Sequence, residues 1–206
     1  MRAPDEVQDL LASLDIGPAR IAQKKLVYQP EPAELVIAEV GNDGREHRLT
    51  PATAAAWHAM SAAALADGVI LKIESAFRSI ERQAEIVRAK LEGGLSLDAI
   101  LEVSAPPGYS EHHTGRAIDV TTDGVPPLED EFEKTEAFRW LSANAGPFGF
   151  RLSYPAGTRT ATPTSRGTGI TQADHRHLGD FGCRSARCDC ARDPRPPSHR
   201  ARGSPK

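Results

Sequence analysis

The sequence predicts an α+β domain with a small, mainly antiparallel sheet flanked by helices. Two observations predict it: short β-branched runs alternate with alanine-rich or amphipathic helical runs, and Gly, Pro and Asn punctuate the junctions. Between Asp5 and Ala22 the apolar residues Val7, Leu10, Leu11, Leu14 and Ile21 recur at near-helical spacing around Gly17-Pro18, which predicts two short helices. Leu35–Val40 reads as a strand, Gly41-Asn42-Asp43-Gly44 as a turn, and Arg45–Leu49 as the returning strand. Thr50-Pro51 supplies an N-cap and a first-turn proline for a helix that runs through Trp57, Met60 and Leu65 and stops at Gly68.

Val69–Ile73 reads as a buried strand that delivers Ser75-Ala76-Phe77-Arg78-Ser79 to its end, with Ser79 capping a helix over Glu81–Leu91. Arg78 is therefore expected at a strand-to-helix junction. A short helix over Ser96–Val103, a loop at Pro106-Pro107-Gly108, a strand over Arg116–Thr121, a helix over Thr135–Asn144 and a strand over Phe150–Tyr154 follow.

With 206 residues and 39% hydrophobic content, the chain can bury the core of one domain with loose ends. A net charge of -3 speaks against a nucleic-acid-coating or anionic-membrane protein, so the expected partner is small. No apolar run of about 18 residues suggests a membrane span, and the first residues lack a signal-peptide pattern. As written the chain is expected in the cytoplasm, and a misassigned start codon would move that expectation to the envelope. Cys183, Cys188 and Cys190 match neither a disulfide framework nor a zinc ribbon.

His112 and Asp119 are both metal-ligating side chains, and Gly115 and Ala117 between them let the backbone turn from a loop into a strand. That pair alone is weak evidence. The decapeptide Ser110-Glu111-His112-His113-Thr114-Gly115-Arg116-Ala117-Ile118-Asp119, however, resembles the S-x-H-x-x-G-x-A-x-D signature of the VanY-type D-alanyl-D-alanine carboxypeptidases at every fixed position. Upstream, Ser75-Ala76-Phe77-Arg78-Ser79 followed by Gln83 resembles the family's S-x-[YF]-R-S-x-x-x-Q segment. The resemblance covers residues 49–155, leaves residues 1–48 as an N-terminal extension, and implies a zinc cleft in the Hedgehog/D-Ala-D-Ala peptidase-like fold.

Position by position, the resemblance implies that His112 and Asp119 bind Zn2+ and that Ser110 and Gln83 help hold a peptidoglycan stem peptide ending in D-Ala-D-Ala. Arg78 would pair with a substrate carboxylate or the developing oxyanion; a structural salt bridge is the alternative. Glu111 and His113 lie between the matched positions and are expected in a solvated loop.

The family closes its site with an E-x-W-H segment that supplies the third ligand and the general base. This chain has no glutamate or tryptophan after Trp140 and no histidine between His113 and His175. Residues 156–206 carry only Ile170, Leu178 and Phe181 as large apolar side chains beside nine arginines, a composition expected to stay disordered. Joining the last base of each codon to the next two, from the Pro155/Ala156 boundary onward, permits R-G-N-P-x-G-Y-x-Y-E-P-W-H-W, which resembles the missing segment. One base lost near the Tyr154-Pro155 codons would explain both facts. The rival expectation is that His175 or His177 completes the site.

The reading is thus a zinc metallopeptidase of peptidoglycan peptides, impaired in this chain. The alternatives are a non-catalytic module binding zinc or cell-wall peptide, and a lysin-like peptidoglycan endopeptidase.

Overall fold

The computed structural model describes residues 3–124, 132–152 and 168–172. Chain order is α1 (Asp5–Ser13), α2 (Pro18–Gln23), β1 (Val36–Val40), β2 (Glu46–Leu49), α3 (Pro51–Ala66), β3 (Lys72–Ser75), α4 (Ile80–Glu92), α5 (Leu97–Val103), β4 (Ala117–Thr121), α6 (Glu136–Asn144), β5 (Phe150–Leu152) and β6 (Thr168–Gln172). β1 and β2 form an antiparallel hairpin, while a four-stranded sheet runs β3-β4-β6-β5 with every pair antiparallel. The α+β expectation holds.

Local chemistry sets the helix starts. The side chains of Thr50, Ser79, Ser96 and Thr135 each accept a backbone N–H in the first turn of α3, α4, α5 and α6, satisfying one of the donors that a helix start leaves without a partner. Two apolar clusters then hold the layers together. One joins α3, through Ala54, Trp57, Met60 and Ala64, to the sheet residues Ile73, Ile118, Val120, Phe150 and Ile170. The other joins α1, through Val7 and Leu11, to α4 and α5 through Ile80, Ala84, Val87, Ile100 and Leu101. The start of the chain is therefore packed onto the body and is more than an appendage.

β4 is buried on both faces. Ile118 and Val120 enter the core on one face, and Asp119 on the other is only 3% exposed. That polar burial at mid-sheet marks the site.

Within the stretch whose composition suggests disorder, Thr168–Gln172 form a strand. β6 inserts between β4 and β5, and Ile170 lies opposite both Ile118 and Leu152. A ladder on each side supplies its backbone hydrogen bonds, and burying Ile170 completely contributes about 1.5–3 kcal/mol, so a five-residue strand needs little help from its own composition. β3 starts at Lys72 rather than Val69, although Val69 and Leu71 are buried as expected. Residues 153–167 and 173–206, which include His175, His177 and the three cysteines, lie outside the described residues. No helix among the described residues is long and apolar enough to cross a membrane.

Candidate zinc and substrate site

β3 and β4 pair with Ser75 opposite Asp119, and the register shift between Ile73 and Ser75 turns the end of β3 toward the next helix. Arg78 lies in that turn. Its Nη1 donates to Gln83 Oε1 at 3.0 Å and its Nη2 to Ser75 Oγ at 3.2 Å. Gln83 is 1% exposed, and its Nε2 donates to the Ala105 carbonyl at 2.6 Å. With both ends of its amide engaged, Gln83 ties the Arg78 guanidinium to the Ala105 backbone. Burial draws the Arg78 guanidinium below its ordinary value, Asp119 opposes the shift and Arg82 adds to it. A guanidinium nonetheless keeps its charge under such a shift.

The ligand pair is set by a 3-10 turn, Glu111–Thr114, which ends on Gly115 in the left-handed region at φ 63°. A Cβ on Gly115 would lie 2.8 Å from Leu35 Cδ2 and 3.3 Å from Thr50 Cγ2. We expect Gly115→Ala to cost about 2 kcal/mol or more from backbone strain and crowding, measured as a lower urea midpoint with unchanged slope.

His112 and Asp119 come together as the sequence predicts. His112 Nδ1 is 2.7 Å from the Ala76 carbonyl, and because that oxygen only accepts, Nδ1 is the donor and Nε2 is the nitrogen left to face Asp119. Nε2 lies 3.3 Å from Asp119 Oδ2. Two ligands about 2.0–2.1 Å from a tetrahedral zinc stand roughly 3.3–3.4 Å apart, so this spacing fits the ion without rearrangement. The Ala76 carbonyl is also placed where the outer partner of a metal-bound imidazole would stand. Among the described residues, no third His, Cys, Asp or Glu completes a metal-binding group with them. Ser110 Oγ is buried and has no hydrogen-bond partner among the described residues.

His113 departs from the solvated loop expected for it. It is fully buried, its Nδ1 donates to the Arg78 carbonyl at 2.6 Å, and its Nε2 accepts from the Gly108 amide at 3.1 Å. Burial pushes it down to about 4; the bond to Arg78 opposes this, while His112 and Arg78 add to it. A neutral ring is also what one donated and one accepted bond require. His113 thus braces the Arg78 turn against the loop before Ser110, a role that adjacency to a motif residue did not signal. Glu111 is likewise engaged, accepting from Thr171 Oγ1 of β6 at 2.8 Å. A separate cavity of about 610 Å³, lined by residues that include Glu39, His47, Lys72, Glu74 and Asp123, does not include the ligand pair.

A D-alanyl-D-alanine carboxypeptidase of Enterococcus faecalis (strain ATCC 700802 / V583) is 38% identical over 101 residues, covering 45% of this chain and 36% of that protein. The chain spans less than half the length of the curated relatives it matches. Among solved structures, the LdcB LD-carboxypeptidase superposes with a TM-score of 0.61 at 28% identity, covering 69% of each chain. A vancomycin-resistance VanY D,D-pentapeptidase variant in complex with Zn(II) gives 0.52 at 28% identity, covering 72% of this chain and 87% of that one. The VanY family model, D-alanyl-D-alanine carboxypeptidase, matches residues 46–166, more than half the chain and all of Ser75 to Asp119, so this chain belongs to the D-alanyl-D-alanine carboxypeptidase family.

Proposed function

We propose that the chain holds Zn2+ on His112 Nε2 and Asp119 and binds peptidoglycan stem peptides ending in D-Ala-D-Ala, with hydrolysis impaired. The observation that carries this is the 3.3 Å spacing of two buried ligand atoms, one on an imidazole whose other nitrogen is tied to a carbonyl. The zinc complex of the VanY relative supports the choice of ion. Zinc, when bound, supplies Lewis acidity to the scissile carbonyl and to water.

The chain's own residues do the rest. Arg78, held by Gln83 and Ser75, presents a fixed cation to the substrate carboxylate or to charge developing on the carbonyl oxygen. Ser110 Oγ offers an unused hydrogen bond to the peptide. Cleavage also needs a base to take a proton from water while the amine of the terminal D-alanine leaves, and the sequence has no glutamate after Trp140 to serve as one in a closing segment. The same gap favours binding without turnover.

The test is titration of the full chain with zinc and then with an acyl-D-Ala-D-Ala peptide. We expect one chelator-reversible zinc site and saturable peptide binding that depends on it, with little release of D-alanine. Rapid chelator-sensitive release would refute the impairment, and zinc binding unaffected by His112→Ala would refute the site. Product analysis on cell-wall fragments distinguishes carboxypeptidase from endopeptidase action.

A further inference from the structure

We propose that the strap Tyr28–Leu35, upstream of the family-matched region, positions the substrate-binding loops, with Glu31 as its positioning residue. The inference rests on the proposed function for what those loops bind, but the mechanical claim stands on contacts alone. Glu31 Oε1 accepts the Ile80 N–H at 2.5 Å. Ile80 opens α4 two residues after Arg78, and its amide is one of the donors a helix start leaves unsatisfied. Ser79 Oγ satisfies a different one, on Arg82, so the carboxylate adds a second anchor from outside the helix.

The same strap reaches the Ser110 loop. Gln29 N donates to the Gly108 carbonyl at 2.8 Å, and the Tyr28 ring meets Tyr109 edge-on with centroids 6.4 Å apart. A Cβ on Gly108 would lie 3.4 Å from the Tyr28 ring, which shows how closely that ring covers the Gly108 backbone. Farther along, Pro32 and Leu35 close over Gly115, the residue that ends the turn carrying His112. Pro30 and Pro32 flank Glu31 and restrict the strap before it docks, lowering the entropy lost on ordering. One segment therefore touches the Arg78 turn, the Ser110 loop and the ligand turn from outside, while His113 joins the first two from inside.

Amide hydrogen exchange on the full chain tests this without requiring activity. In Glu31→Ala, the amides of Ile80, Arg78 and Gly108 should exchange about tenfold faster or more, while Ile118 and Val120 in the sheet keep wild-type protection. Glu31→Gln, whose amide oxygen accepts the same bond, should restore most of that protection. Acceleration confined to Ile80, acceleration spread equally through the sheet, or failure of Gln to restore protection would each overturn the positioning role. In a second arm with zinc-loaded protein, Glu31→Ala should weaken acyl-D-Ala-D-Ala peptide binding about fivefold or more with zinc affinity unchanged. A wild-type chain that binds no such peptide overturns the substrate reading, and the exchange arm still decides the strap.

Discussion

Insertion of one base at the Tyr154-Pro155 codons is expected to raise hydrolysis of an acyl-D-Ala-D-Ala peptide by about a thousandfold or more over the chain as written. A positioned general base alone contributes roughly 10²–10⁴ in rate, and a third protein ligand adds zinc occupancy. The codon boundary that reads as histidine in the other frame, Gly167/Thr168, falls where β6 begins. β6 runs beside the ligand strand with Gly169 opposite Asp119 and Thr168 opposite Val120. The closing segment would thus be delivered next to the existing ligands. Sequencing the gene and assaying the restored protein with and without chelator checks this. A restored chain no faster than the original, or codons that do not encode glutamate, tryptophan and histidine in that frame, would sink the idea.

What could be read from the sequence was whatever is decided locally. The helix starts at Thr50 and Ser79 follow from a hydroxyl accepting the N–H three residues ahead, a bond that needs no distant partner. The motif spacing from His112 to Asp119 likewise contains its own turn at Gly115, and the two side chains come within 3.3 Å of each other. Contacts across long separations were not legible. Glu31 and Ile80 are 49 positions apart, and nothing in Pro30-Glu31-Pro32 announces which amide the carboxylate serves. β6 is a strand because β4 and β5 offer hydrogen bonds on both sides, a property of its neighbours rather than of Thr-Gly-Ile-Thr-Gln. Gln83 illustrates an intermediate case, since its place in the motif was visible but its engagement with both Arg78 and Ala105 depends on how α4 packs.

His113 carries the other large expected effect, on stability against pH. We expect the metal-free chain to lose about 3 kcal/mol of folding stability through this residue as pH falls from about 6.5 to about 4. The sign follows from where each state takes up a proton. Above pH 6.5 the imidazole is neutral in both states and contributes no pH dependence. Between 6.5 and about 4 the unfolded chain binds the proton and the folded chain does not, so each step toward acid favours unfolding. Below about 4 both states are protonated and the loss levels off. His47, drawn down mainly by burial while Glu39, Asp43 and Glu74 oppose it, adds a contribution of the same sign. His113→Gln keeps one donor for the Arg78 carbonyl and one acceptor for the Gly108 amide but cannot titrate, so it should remove most of the acid sensitivity. Urea unfolding in the presence of chelator at pH 7 and pH 4.5 measures both proteins without bound metal. Equal acid losses in wild type and His113→Gln would show that the ring is not held neutral, and would remove the brace between Arg78 and Gly108 that its buried, uncharged state provides.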